Sequence, residues 1–225
     1  MENLTENISS KIAFYLCDTK DESSDEFEIL KYGVFAVLHI SMAFLFTILF
    51  GILTNTLYEI VTITLIGTIL KRYSGGVHCS SPNRCLVTGI IVSYIFVLIG
   101  KYMINVKWEL NYIICVIMLV HSFFILYKKC PVPSENKPLN KEKTRKILRR
   151  KSFFIYFILV VIFIANMLLN LFNIYMMLNF KVLYIILGLY MQTLSLTLVG
   201  SDFILFLVKV LLKLKIYIKI LTNLC

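Results

Sequence analysis

Apolar residues in this chain come in long blocks separated by short polar gaps. A membrane-crossing helix needs about 20 consecutive apolar residues. Four stretches approach or reach that length: 86–104, 110–127, 152–173 and 182–200. A further block, 34–70, suits two tight crossings broken near Asn55 and Glu59, or one span plus a segment that enters and leaves the same face. The flanks differ. Leu4, Ile8, Ile12, Tyr15 and Leu16 recur at helical spacing, which predicts a short amphipathic helix. Residues 203–220 set Lys209, Lys213, Lys215 and Lys219 among aliphatics. That pattern predicts a helix lying on an anionic leaflet, with a last span whose lysines snorkel to the surface as the competing reading. The expected fold class is all-α. It is a polytopic membrane helical bundle of about six membrane segments, or four spans plus a re-entrant hairpin, with interfacial amphipathic helices at both ends. Residues 1–225 form a single domain.

Composition agrees. Apolar residues make up 59% of the chain and charged residues 16%, against about a quarter charged in soluble domains. Charge is uneven. Residues 1–31 hold eight acids against three lysines, and residues 128–151 hold ten Lys/Arg against two acids. The net charge of +10 therefore does not point to nucleic acid. A basic loop between spans marks the cytoplasmic side. Counting back two spans puts 71–85 on that side, and counting forward two puts the C-terminus there. Two crossings or a re-entrant hairpin in 34–70 keep the N-terminus there as well. Residues 1–31 lack the basic start and apolar core of a cleavable signal. None of the six cysteines forms a CxxC pair, which favours free thiols in a reducing compartment. His39, His121, Asn166, Asn170 and Gln192 lie within apolar stretches. They form hydrogen bonds between helices or line a path through the bundle. Asn166, Asn170 and Asn173 share one helix face.

The polar gap at 71–85 reads KRYSGGVHCSSPNRC. Gly75 and Gly76 permit positive φ and a sharp turn that would let the chain fold back. Ser80 or Ser81 can cap a helix, and Pro82 suits the first helical position. With Ser81 as the cap, Cys85 occupies the fourth position. There the positive end of the helix dipole favours thiolate over thiol, and Arg72 and Arg84 push the same way if near. His78 is placed to act as base or ion-pair partner. Polar loop material and packing are the bland alternatives. Cys79 is a rival nucleophile, but it lacks the helix-start position. His78, Cys79 and Cys85 lack a fourth ligand for a metal, so neither metal nor cofactor is expected. Lys141, Lys143, Arg145, Lys146, Arg149, Arg150 and Lys151 set topology or form a docking surface for an acidic partner.

Arg72, the Gly75-Gly76-x-His78 core and Cys85 resemble the signature of the AgrB family (accessory gene regulator protein B). The acidic N-terminal segment running into Lys31-Tyr32-Gly33, the order of spans, and Pro131, Pro133 and Asn136-Lys137-Pro138-Leu139 are also similar to that family. The likeness covers most of the chain and weakens after residue 200. It implies a cysteine endopeptidase of the bacterial cytoplasmic membrane. Such an enzyme cuts a short AgrD-type propeptide and helps close its signal into a thiolactone or lactone ring for quorum sensing. It makes Cys85 the nucleophile and His78 the general base. Arg72, Gly75, Gly76, Ser81 and Arg84 are then supporting residues. A homodimer in the lipid bilayer is the implied setting. Cys79 departs from a position that is often small. A small transporter or channel and a non-enzymatic membrane scaffold are the competing functions. No carboxylate lies well inside a firm span and no repeat is obvious, which disfavours the first.

Overall fold

In a computed structural model, residues 2–17, 24–76, 81–133, 141–171 and 178–222 are described. Among them are eight helices: α1 (Glu2–Leu16), α2 (Asp25–Leu53), α3 (Leu57–Ser74), α4 (Pro82–Ile104), α5 (Trp108–Lys129), α6 (Glu142–Leu171), α7 (Leu178–Leu194) and α8 (Leu198–Thr222). Helices α2, α4, α5 and α6 are long and apolar enough to cross a membrane. The pair α7–α8, bent by 90°, adds a broken span or a re-entrant loop. The chain is an all-α membrane bundle of the multi-pass kind.

The block 34–70 resolves into a hairpin of α2 and α3. Asn55 takes the left-handed conformation at φ 51°, which Asn tolerates better than most residues. The Thr56 amide donates to the Gly51 carbonyl at 2.8 Å, closing the corner. Helix α3 carries Glu59, Lys71 and Arg72, and it falls outside the four clear spans.

Two expectations need correction. The run 182–200 is not one helix. Helix α7 stops at Leu194, and α8 leaves at a right angle. Thr197 makes this corner. Its hydroxyl donates to the Leu194 carbonyl at 2.7 Å and accepts from the Gly200 amide at 3.1 Å. A Cβ on Gly200 would strike that same carbonyl. A count of apolar residues is blind to such a corner. The basic stretch 128–151 is also not one loop. Lys128 and Lys129 end α5, and residues 142–151 are the first turns of α6. The side chains of Leu4, Asn173, Lys213, Lys215 and Lys219 lie outside the described residues.

Helix α1 packs on α2 by its small face, with Thr5, Ser9 and Ala13 buried. Ile8, Ile12, Tyr15 and Leu16 point away from the protein. That is the geometry of an apolar stripe offered to a membrane interface.

The core centres on α7, which packs against α3, α4, α5 and α6. Its middle is apolar on every face, and Val182, Leu183, Tyr184, Ile186, Leu187 and Leu189 are buried. Such a helix belongs inside a bundle. Glycines let its neighbours approach. A Cβ on Gly188 would lie 2.9 Å from the Ile63 carbonyl oxygen of α3, and one on Gly67 would lie 2.8 Å from Met191 Cε. Small residues play this part in membrane bundles, where close backbone packing replaces the hydrophobic drive.

Polar side chains tie the helices together. Tyr112 donates to Asn166 Oδ1 at 2.9 Å, His121 Nδ1 lies 3.1 Å from the Tyr190 hydroxyl, and Ser122 lies 3.0 Å from Thr193 Oγ1. For Asn166 and His121 the interhelical reading holds. Replacing Gly188 by Val should destabilise the fold by about 1–3 kcal/mol, the usual cost of overpacking. Gly89, whose Cβ would meet nothing within 4 Å, should accept Ala without loss. Thermal unfolding of the two detergent-solubilised variants checks this.

Candidate active site

Helix α3 ends in Ser74 and Gly75, and the Gly75 amide donates back to the Lys71 carbonyl at 3.0 Å. Gly75 has φ 74° and Gly76 has φ 134°, conformations in which a side chain is strained. These glycines are held rather than loose. The Val132 amide donates to the Ser74 carbonyl at 2.9 Å, and Gly75 and Val132 form an isolated parallel bridge. A Cβ on Gly75 would run into the Val132 carbonyl oxygen. From the other side, Gln192 of α7 donates through Nε2 to Ser74 Oγ at 3.1 Å and to the Gly75 carbonyl at 2.9 Å. A Cβ on Gly76 would lie 3.3 Å from Ser195 Oγ. The turn is therefore gripped between α7 and the segment that follows α5. Close approach, more than freedom to fold back, is what these glycines supply.

His78 and Cys79 lie outside the described residues. The chain returns at Ser81, the N-cap of α4, in extended conformation and without a side-chain capping bond. Pro82 takes the first helical position, where its missing N–H costs nothing. The Cys85 amide donates to the Ser81 carbonyl at 3.1 Å, so Cys85 is the fourth residue of the helix. The N–H groups of a first turn have no acceptor four residues back, and they favour negative charge nearby.

Cys85 is half-buried and in no disulfide. It lines a partly open cavity of about 670 Å³ bounded by α2, α3, α4, α7 and α8. The surface of its wall is largely apolar. Polar side chains also contribute, among them His39, Thr64, Lys71, Ser93 and Gln192. Thr64 donates to Ser93 at 3.1 Å, and His39 stacks on Phe35 with 6.1 Å between centroids. A thiol at a helix start, facing an apolar chamber, suits nucleophilic attack on a bound carbonyl shielded from water.

The other expected residues are spread more widely. Arg72 is exposed in the last turn of α3, 5.9 Å from the Tyr73 ring centroid. Arg84 is half-buried in the first turn of α4. Lys141, Lys143, Arg145, Lys146 and Arg150 lie exposed along the start of α6, and Lys146 pairs with Glu142 at 2.7 Å. Arg149 has other work. It donates to the Tyr127 carbonyl at 2.8 Å and lies 5.1 Å from the Tyr127 ring centroid, closing the C-terminal end of α5. Lys151 sits 5.5 Å from the Tyr73 ring centroid on α3. Gln192 was legible only as a polar residue in a span. Its partners Ser74 and Gly75 are more than a hundred residues away in sequence, and no local signal joins them. His39 and Lys71 share the Cys85 cavity for the same tertiary reason.

Cys130 is the other thiol near this end of the bundle. It is 5% exposed. Burial pushes its thiol up from its ordinary value, against a hydrogen bond with Ser152 and the charge of Arg149. A raised value leaves less thiolate at any given pH. Iodoacetamide should therefore modify Cys85 well before Cys130 at neutral pH, with Cys130 gaining reactivity only above the ordinary thiol range. Peptide mass spectrometry across a pH series reads both. Gly75→Ala should destabilise this end of the bundle by about 1–3 kcal/mol, seen as a lower melting temperature.

The family model described as accessory gene regulator B matches residues 9–196. An AgrB-like protein of Clostridium perfringens strain SM101 is 30% identical over 204 residues, covering 89% of this chain and 93% of its own length. AgrB-like protein 2 of Clostridium perfringens strain 13 is 28% identical over 200 residues, with 88% and 94% covered. An AgrB-like protein of Listeria monocytogenes strain HCC23 is 27% identical over 159 residues, with 68% and 74% covered. No solved structure matches.

Proposed function

The chain belongs to the accessory gene regulator B family, and from that premise we propose that it is a membrane cysteine endopeptidase. It cuts a short AgrD-type propeptide on the C-terminal side of the signal segment and helps to cyclise that segment. The observation that carries this reading is the position of Cys85, in the first turn of α4 and on the wall of an apolar cavity of about 670 Å³.

The chemistry follows from the residues. His78 takes the proton from Cys85 Sγ, and the thiolate attacks the scissile carbonyl carbon. When the C–N bond breaks, His78 returns its proton to the leaving amine, and the signal segment is held as a thioester on Cys85. A Cys or Ser side chain of that segment then attacks the thioester carbonyl. The bond to Cys85 breaks, its thiol is restored, and the ring is released. Exchange of one thioester for a thiolactone is close to neutral in energy, so water must be excluded and the attacking side chain held near. An apolar chamber beside Cys85 serves both needs. N–H groups of the α4 start are candidates to stabilise the oxyanion.

The exposed cations at the start of α6 are the docking surface for the acidic tail of the propeptide. Lys141, Lys143, Arg145, Lys146 and Arg150 serve this role, while Arg149 is occupied with α5. By the positive-inside rule, this surface and the Cys85 end of the bundle are assigned to the cytoplasmic side. On this reading α2 and α3 are a hairpin that keeps the N-terminus there, and the α7–α8 pair returns the C-terminus to it.

Co-expression with an AgrD-type propeptide tests the assignment. Cleavage should be lost with Cys85→Ala and with His78→Ala, and retained with Cys79→Ala. Continued cleavage by Cys85→Ala would overturn it. Replacing Lys141, Lys143 and Arg145 by Gln should raise KM several-fold and reduce its dependence on salt, leaving kcat unchanged.

A further inference from the structure

We propose that His39 is a further catalytic residue, one that serves ring closure: from the wall of the Cys85 cavity it takes the proton of the substrate side chain that attacks the thioester. The proposal rests on the acyl-enzyme reading of Cys85 given above and names the group that handles the proton in the second half of that reaction.

Three registers bring His39 level with Cys85. His39 lies 14 residues before Leu53, the end of α2, and Lys71 lies 14 residues after Leu57, the start of α3. The α2–α3 hairpin therefore sets His39 and Lys71 at one depth. Thr64 of α3 bonds to Ser93 of α4 at 3.1 Å. Lys71 is seven residues from Thr64 and Cys85 is eight from Ser93, both toward the Gly75 turn. Phe50 of α2 meets Tyr94 of α4 edge-on, with 5.2 Å between ring centroids. His39 is eleven residues from Phe50 and Cys85 is nine from Tyr94, again toward the same end. At a rise of 1.5 Å per residue, the three registers agree to within about 3 Å. His39, Lys71 and Cys85 are also the cavity-lining residues of α2, α3 and α4 that lie nearest the Gly75 end.

His39 is available for chemistry. Helix α2 is long and apolar enough to cross the membrane, and an ionisable side chain in a span that faces a cavity marks function. The other histidine of a span, His121, is engaged with the Tyr190 hydroxyl at 3.1 Å. His39 stacks on Phe35, and among the described residues no hydrogen bond occupies its ring nitrogens. Imidazole is the side-chain type that both accepts and releases a proton near neutral pH. Helices α2 and α4 border the cavity from different sides, which leaves room between His39 and Cys85 for an attacking side chain.

The step balances with these groups alone. His39 accepts the proton of the substrate Cys or Ser side chain as its sulfur or oxygen bonds to the thioester carbonyl carbon. The bond from that carbon to Cys85 Sγ breaks, and the departing thiolate takes the proton back from His39.

The test follows single turnovers of the full-length protein in vesicles with an AgrD-type propeptide whose ring-forming residue is Cys. Release of the C-terminal fragment reports thioester formation, release of the ring reports its consumption, and intact-mass spectrometry reads the thioester on Cys85. His39→Gln should leave the first rate near wild type and slow ring release by about tenfold or more, the low end for a general base. Thioester should then accumulate. Added imidazole should speed ring release in His39→Ala, and a rate that it leaves unchanged overturns the proton role. Ring release by His39→Gln at the wild-type rate overturns the proposal, as does loss of the first step together with the second. C-terminal fragment released by Cys85→Ala as fast as by wild type would instead overturn the reading of Cys85, and this proposal with it. If His39→Gln does not fold, His39→Phe carries the same test, because it keeps an aromatic ring against Phe35.

Discussion

The structure depends on how closely α7 can lie against α3. In a bilayer there is little hydrophobic gain from joining two apolar helices, so association rests on close packing and on hydrogen bonds. Gly188 faces the backbone of Ile63, and Gly67 admits the end of Met191. With those side chains absent, α7 becomes a buried post that α3, α4, α5 and α6 surround. The same approach brings the last turns of α7 level with the end of α3, where Gln192 reaches Ser74 and Gly75. Packing in the middle of the bundle thus fixes polar geometry at its end.

That end combines two solvents. Arg72, the lysines of α6 and those at the close of α5 are exposed charges, whereas the surface of the cavity beside Cys85 is largely apolar. On the reading proposed above, such a boundary lets a thiol meet a peptide in a drier setting, where electrostatic interactions are stronger. Arg149 fixes the start of α6 to the end of α5, so the basic face of α6 keeps its place beside it.

Much of the fold could be read from the chain because apolar blocks and polar gaps report directly on what lipid and water each tolerate. The α2–α3 hairpin was visible at Asn55, and the start of α4 was visible in Ser81-Pro82 because capping is a local matter. The α7–α8 corner was hidden. It is made by one threonine hydroxyl and one glycine inside a run long and apolar enough to read as a single span. Arg149 looked like its neighbours in sequence, and only the arrival of α5 gives it a carbonyl to bind. Of the candidate site, the helix position of Cys85 was legible from its cap. The grip on Gly75 was not, since it joins residues 75, 132 and 192, which periodicity cannot connect.

The pairing of Gly75 with Val132 also restricts how this sequence can vary in length. Helix α5 ends at Lys129, and three residues later the Val132 amide must meet the Ser74 carbonyl. One residue inserted or removed in Cys130–Val132 would slip that register and leave a backbone acceptor beside the motif without its donor. Gaps between related chains should therefore avoid this tripeptide even where the residues themselves have diverged. The spacing, more than the identity, is what inheritance has to preserve there.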